Sequence, residues 1–220
     1  MRLISWLLIT AGLLLTGYGA YYYYLSQQGQ NQARQEWATE EPVPVRPPAT
    51  PQRYFNPYRL GDPVAKLRFT RLATTLYVIE GTDQNDLKKG PGHMPGTALP
   101  GVAGNCVIAG HRDTHFRLLE QIHQGDEVQL DTHYGSFRYK VRSLEVVSPT
   151  NVASLRPTPD AVLHLITCYP FNYVGHAPKR MVIEADLEKP AQVSPNDAPP
   201  SPVSTHRRMS PKHTGLKAAD

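Results

Sequence analysis

The amino-terminal end of the chain is a run of 23 residues without a charge, from Leu3 to Leu25. At about 1.5 Å per residue, a helix of that length covers the hydrocarbon core of a bilayer, which is roughly 30 Å thick. Tyr21 to Tyr24 close the run, where an aromatic belt would meet the membrane interface. Residues 1–25 are therefore predicted to form a transmembrane anchor. Within it, residues 3–25 are expected to contact the membrane.

The charges on either side of this run predict its orientation. Arg2 and the amino terminus precede it, and the next charge is Arg34. The positive-inside tendency then places the rest of the chain on the extracytoplasmic side of the cell membrane. The alternative is a cleaved signal peptide, since Gly17-Tyr18-Gly19 offers small residues around a possible cut. The apolar run is longer than a typical signal core, which favours an uncleaved single-pass anchor.

Two segments of biased composition flank the remaining sequence. Residues 26–57 begin polar and Gln-rich and continue as EEPVPVRPPATP, which favours an extended, semi-rigid linker. Residues 189–220 contain too few apolar side chains to build a core, so a disordered Pro-rich tail is predicted there. The net charge of +4 is spread along the chain, and no dense Lys/Arg block alternates with aromatics. Nucleic acid is therefore not an expected partner.

The segment between them, residues 58–188, has the pattern of a mainly β domain. Short apolar or alternating runs are separated by Gly- and Pro-rich turns, and one stretch has helical spacing with Asp113 or Thr114 as its expected cap. Seven or so short strands with one or two short helices predict a closed or nearly closed β-barrel. The runs lie near residues 66–69, 75–80, 105–111, 127–130, 137–147, 162–168 and 181–183, with the helical stretch at 114–122.

Three side chains at strand boundaries carry the chemistry. His111 closes one β run, Cys168 lies near the end of another, and Arg180 opens the last one. A lone cysteine is most often a small core residue, so the prediction depends on the thiol, imidazole and guanidinium together, which suit cysteine acyl transfer. The second cysteine, Cys106, lies about 16 Å from His111 in extended geometry, so a disulfide between Cys106 and Cys168 is not expected.

Two stretches resemble the sortases, a family of membrane-anchored cysteine transpeptidases of prokaryotic envelopes. They are GPGHMPGTALPGVAGNCVIAGHRDTHF at residues 90–116 and LITCYPFNYVGHAPKR at residues 165–180. The resemblance implies an eight-stranded barrel with Cys168 as nucleophile, His111 as general acid/base and Arg180 as the oxyanion-stabilising and substrate-orienting group. The sequence around Cys168 and before Arg180 looks most like the class D, class E or Gram-negative-type sortases.

The resemblance also implies substrates. These would be surface proteins with an LPxTG-like sorting signal, cleaved through a thioacyl-enzyme and transferred to a cell-wall peptide or protein amine. Thr167, beside the nucleophile, and the loop residues His93 and His176 are predicted to border the substrate groove. No cofactor is expected, and no His/Cys/Asp/Glu cluster has metal-ligand spacing.

Two other functions remain open at this point. A membrane-tethered cysteine peptidase that only hydrolyses would carry the same residues, because the choice of acceptor depends on groove shape. A non-catalytic envelope-binding module could keep the same barrel. The presence of all three catalytic residue types at matching positions disfavours the binding module, but the sequence does not separate the transpeptidase from the hydrolase.

Overall fold

The structure, a computed structural model, describes residues 2–39, 56–152 and 156–189. The predicted Pro-rich part of the linker at 40–55 and nearly all of the predicted disordered tail, 190–220, lie outside these residues. In chain order the elements are α1 Arg2–Thr39, β1 Pro63–Phe69, β2 Thr74–Glu80, α2 Gln84–Lys89, β3 Gly92–His93, β4 Gly104–Gly110, a 3₁₀ helix His115–Gln121, β5 Glu127–Thr132, β6 Gly135–Val147, β7 Ala161–Tyr169 and β8 Lys179–Lys189.

The eight strands close into one barrel in the order β1-β2-β3-β4-β7-β8-β6-β5, and β5 pairs back with β1. The pairs β2·β3 and β4·β7 are parallel, and the other neighbours are antiparallel. Closure leaves no long unpaired edge. The predicted mainly β barrel is therefore confirmed, together with its eight strands. The strand that the sequence analysis did not identify is β3, which has only two residues between glycines and prolines.

The barrel interior is filled by side chains from alternate positions of the strands. On β4 these are Cys106 and Ile108, and on β7 they are Leu163 and Leu165. Each fully buried aliphatic side chain of this size contributes about 1.5–3 kcal/mol relative to leaving it in water. Cys106 is 1% exposed in this core, and both cysteines are free thiols. The side chains at the intervening positions of these two strands face away from this core.

Helix α1 is longer than the predicted anchor and continues from the apolar run to Thr39. Its apolar side chains up to Leu25 are exposed, and the helix is long and apolar enough to cross a membrane. The polar half does not form the predicted linker from residue 26 onward. Instead it packs on the barrel, where the Gln30 side chain exchanges two hydrogen bonds with the Tyr77 backbone at 2.8 and 3.0 Å. Residues 26–39 contain no proline, and Gln, Glu, Arg and Ala favour a helix.

A buried charged pair joins β2 to β3. The His93 ring is 0% exposed and donates from Nδ1 to Glu80 Oε2 at 2.7 Å and from Nε2 to the Ala98 carbonyl at 3.0 Å. The other Glu80 oxygen accepts a bond from Asn56 Nδ2 at 2.7 Å. Burial opposes protonation of the ring, but interactions with Cys106 and Glu80 outweigh it and raise the His93 pKa to about 10. Two acceptors on the two ring nitrogens require an imidazolium.

Because of this pair, we expect the barrel to become less stable as pH rises into the alkaline range. Because the folded-state pKa of His93 is raised from 6.5 to about 10, its contribution is complete below pH 6.5 and is lost as pH rises toward 10. Chemical denaturation of the full chain in detergent should show the free energy of unfolding of wild type falling across this window. His93→Gln should flatten that dependence. An equal slope in both proteins would contradict the assignment.

Candidate active site

Strand register brings the three predicted catalytic residues to one end of the barrel. Cys168 on β7 is paired directly with Arg180 on β8. On the other side of β7, Gly110 of β4 pairs with Thr167. His111 directly follows β4, and Cys168 directly follows Thr167, the partner of Gly110, so the two residues come next at the same end of the parallel pair. The three residues therefore lie at the same end of the barrel, where β4 and β7 end and β8 begins.

Thr167 does not line a groove with Cys168. Successive side chains of a strand point to opposite faces, so the half-buried Cys168 and its neighbour Thr167 cannot share a face. Thr167 faces the barrel interior with 2% exposure, and its hydroxyl donates to the Gly110 carbonyl at 2.8 Å. This corrects the predicted groove position. The hydroxyl instead links β7 to β4 at the residue that precedes His111.

The two histidines predicted to border the groove have different positions. His93 lies on β3 rather than in a loop, and its buried ring has no surface to offer to a substrate, which corrects its predicted location. The prediction failed because a strand of two residues has no recognisable period. His176 is exposed in the connection between β7 and β8, beside the catalytic end. Its contact with substrate stays a prediction.

His111 is half-buried, and its surroundings favour the neutral imidazole. Burial lowers the His111 pKa, the positive charge of Lys88 lowers it further, and the Asp113 carboxylate partly opposes both. At neutral pH the ring is therefore a proton acceptor. Of the two predicted caps, Thr114 occupies the N-cap position of the 3₁₀ helix, although its side chain makes no capping bond there. Asp113 is not the cap, and its Oδ1 accepts a bond from Arg112 Nε at 3.2 Å.

Arg112 is a site residue that the sequence analysis left without a role. Its side chain is 6% exposed, Nη1 donates to the Pro170 carbonyl at 3.1 Å, and Nη2 donates to the carbonyls of Tyr173 and Gly175 at 2.7 and 2.9 Å. The backbone of the β7–β8 loop, residues 170–178, is thus fixed to the residue that follows His111. The signal that could have found Arg112 is its place inside the Gly-His-Arg-Asp motif.

Arg180 keeps its positive charge available. It is half-buried, and Nη1 donates to the carbonyls of Ala177 and Lys179 at 3.3 and 3.0 Å. Within the part of the chain that the structure describes, its bonded partners are carbonyl oxygens rather than carboxylates. A guanidinium that carbonyls orient but do not neutralise suits an oxyanion that develops next to Cys168.

A groove of about 190 Å³ lies on the outer face of β6, β7 and β8. His164 of β7 and Val182 of β8 line it, each at a position with the same parity as Cys168 or Arg180. The His164 Nδ1 atom is 2.6 Å from Asn105 Oδ1, which fixes the ring in the groove wall. The sequence analysis gave His164 no role, although the period of two from Cys168 indicates a shared face. The other lining residues are Ser143, Glu145, Val147, Asn151, Arg156, Thr158 and Glu184.

Metal ligation has no support in the described ranges 2–39, 56–152 and 156–189. No group of three or more His, Cys, Asp or Glu side chains there is arranged to hold an ion.

Comparison with known proteins gives consistent similarities. The family model described as Sortase domain matches residues 67–188. The chain is 32% identical over 192 residues to Sortase D of Bacillus subtilis, covering 83% of this chain and 96% of that protein. The catalytic domain of B. anthracis SrtD is 30% identical with a TM-score of 0.53, covering 64% of this chain and 97% of that one. The Clostridium perfringens Sortase D5 transpeptidase, at 21% identity and TM-score 0.58, covers 76% and 99% and shows the shared fold.

The chain belongs to the sortase family of membrane-anchored cysteine transpeptidases. This confirms the family and enzyme class that the two motifs predicted. Class D sortases are among the similar proteins, in agreement with the class predicted from the residues around Cys168 and Arg180. The non-catalytic binding module and the purely hydrolytic peptidase are not favoured.

Proposed function

We propose that this sortase cleaves an LPxTG-like sorting signal between Thr and Gly and transfers the acyl part to a primary amine at the cell envelope. In this proposal Cys168 is the nucleophile, His111 the general acid/base and Arg180 the oxyanion-stabilising group. The observation that supports the proposal is the register at one end of the barrel, where Cys168 pairs with Arg180 and His111 follows Gly110, the partner of Thr167.

The first half-reaction forms a thioester. The neutral His111 ring accepts the Cys168 thiol proton, and the thiolate attacks the scissile carbonyl carbon. Charge builds on the carbonyl oxygen, where the Arg180 guanidinium stabilises it; one such donor is typically worth about 3 kcal/mol. The His111 imidazolium then gives its proton to the leaving nitrogen as the C–N bond breaks. The acyl group remains on Cys168, and the carboxy-terminal part of the donor leaves as an amine.

The second half-reaction uses the same groups in reverse. A primary amine attacks the thioester carbonyl, and His111 accepts the proton that the amine loses. The C–S bond breaks, the thiolate leaves and recovers its proton, and a new amide joins donor and acceptor. Water can replace the amine, which gives slow hydrolysis. The choice between them depends on which nucleophile reaches the thioester from the solvent side.

The groove on the outer face supports a path for the donor peptide. His164 and Val182 line it on the same face as Cys168 and Arg180, so we propose that a donor peptide bound there extends along this face to the thiol. The exposed ring of His176 is proposed to contact the donor there. The expected partners are surface proteins with an LPxTG-like signal and a cell-wall peptide or protein amine. We take residues 58–188 as the catalytic unit and residues 3–25 as a single-pass anchor that leaves this unit on the extracytoplasmic side.

An acceptor assay tests the function. The full chain in detergent micelles is incubated with a fluorogenic LPxTG-type peptide, with and without triglycine, and the products are identified by mass. We expect faster cleavage and an amine-linked product when triglycine is present. Cleavage that yields only the free acid at saturating triglycine would instead support the hydrolase, and no cleavage of any LPxTG-type peptide would reject the proposed signal.

A further inference from the structure

Helix α1 touches the barrel at three successive levels beyond its apolar run. Ser26 Oγ is 2.9 Å from His115 Nε2, Gln30 holds the Tyr77 backbone, and the Trp37 ring stacks on His133 at 3.9 Å between centroids. Gly29 allows the close approach, since a Cβ there would lie 2.4 Å from the Lys89 Cα. The barrel therefore packs against α1 from Ser26 to Trp37.

The three contacts run from the catalytic end of the barrel to the opposite end. His115 begins the 3₁₀ helix four residues after His111, and the Phe116 N–H donates to the His111 carbonyl at 3.0 Å. His133 lies in the turn between β5 and β6, whose Tyr134 hydroxyl donates to the Pro100 carbonyl before β4 begins. Ser26 and Trp37 are about 16 Å apart along the helix. The catalytic end is thus the end nearest to the apolar run.

The level of the bilayer follows from the same helix. About 20 residues cover the hydrocarbon core, so a span that starts at Leu3 leaves it near Tyr22. Ser26 then lies about 6 Å further out, which is within the headgroup layer of roughly 5–7 Å on each side. His115, bonded to Ser26, is at the height of the lipid headgroups.

The β7–β8 loop presents apolar side chains at this end. Tyr173 is 45% exposed and Val174 is 98% exposed. The loop is held in place by arginines rather than left loose: Arg112 binds the carbonyls of Tyr173 and Gly175, and Arg117, on the 3₁₀ helix, donates to the Phe171 carbonyl at 3.0 Å. An exposed tyrosine and valine on a fixed loop suit the boundary between lipid and water.

We propose that the tip of the β7–β8 loop, Tyr173 and Val174, rests in the interface of the bilayer that holds α1. The docked helix then holds the catalytic end of the barrel against the lipid surface. The side chains that make this contact are apolar, so we expect it not to need anionic lipid. This inference depends on the proposed anchor but not on the proposed chemistry.

Fluorescence quenching in vesicles tests the proposal. In full-length Cys168→Ala, with Cys106 buried, a single reactive cysteine is introduced and labelled with an environment-sensitive fluorophore. Val174→Cys is the test site. Leu60→Cys is the matched control, since Leu60 is 71% exposed and lines a hollow with Gln32 and Glu36, about 9–15 Å further along α1 than Ser26. The vesicles are phosphatidylcholine with nitroxide-labelled acyl chains.

We expect quenching at position 174 to be several-fold stronger than at position 60. A third label at Leu14→Cys, inside the span, reports whether the anchor is inserted. Weak quenching at 174 with strong quenching at 14 would overturn the docking of the loop and leave the proposed function standing. Weak quenching at 14 would overturn the anchor as well, whereas the acceptor assay reports the chemistry independently.

Loosening the helix contacts gives a second measurement. Gln30→Ala combined with Trp37→Ala removes two of the three contacts outside both the span and the catalytic end. We expect this variant to lose most of the quenching at 174 while quenching at 14 is unchanged and the circular dichroism spectrum of the barrel is retained. Undiminished quenching at 174 would show that α1 does not set the orientation, which contradicts the inference.

Discussion

Replacing Cys168 with alanine is expected to reduce cleavage of a sorting-signal peptide to the uncatalysed level while the barrel stays folded. The thiol is the group that would form the thioester, and the described residues at this end include no other thiol. Cys168 is half-buried at the end of β7 and faces away from the core, so the change removes no interior packing. Peptide turnover and near-ultraviolet circular dichroism of the full chain check the two parts.

The second cysteine provides a matched control for this experiment. Cys106 is 1% exposed and packs in the barrel interior, so Cys106→Ala should keep the catalytic thiol and lose stability by about 1–3 kcal/mol. Cys168→Ala should therefore lose activity and keep stability, whereas Cys106→Ala should lose stability and keep activity. Activity that survives Cys168→Ala would contradict covalent catalysis by this residue. Activity that disappears in a folded Cys106→Ala protein would indicate that Cys106, and not Cys168, is the nucleophile.

His111→Gln is expected to lower kcat/KM by about 10²–10⁴-fold, because both proton transfers in each half-reaction pass through this ring. Its pH dependence is a more specific prediction. The reaction needs the neutral imidazole to accept the thiol proton, and burial followed by the Lys88 charge lowers its pKa. Wild-type kcat/KM should therefore hold as pH falls through 6.5 and decline only below it, at the lowered pKa.

The pH profile distinguishes catalysis from a structural role of His111. The acid decline should be absent from the residual activity of His111→Gln, and His123→Gln, a change at an exposed histidine, should keep both rate and profile. An acid limb at the same pH in His111→Gln would assign the decline to another group. A loss of less than tenfold would reject His111 as the general acid/base.

Much of the site could be predicted because strand ends are visible in the sequence. Short β-branched runs that end at His111 and near Cys168, and begin at Arg180, place all three at strand boundaries, and only one closed sheet order is needed to bring them together. Because β7 lies between β4 and β8, the register of these strands then brings the three residues to one end of the barrel. The position of Thr167 was also predictable, because a residue next to an outward-facing Cys168 must face the interior.

Other features depend on contacts that no local pattern encodes. His93 is buried because a two-residue β3 pairs between β2 and β4, and its partner Glu80 is 13 residues away. The role of Arg112 depends on carbonyls of a loop some 60 residues further along the chain. The docking of α1 depends on the hydrogen bonds between Gln30 and the Tyr77 backbone. The sequence of residues 26–39 is equally compatible with a polar linker.

Intact-mass analysis of the stalled enzyme tests whether Cys168 carries the acyl group. The full chain is mixed with an LPxTG-type peptide in the absence of an added amine, quenched in acid, and its mass and the modified peptide are determined. The account predicts a mass increase equal to the acyl part of the donor, located on Cys168, removable by hydroxylamine and lost on addition of triglycine. An unmodified Cys168 during turnover, or an acyl group on another residue, would contradict it.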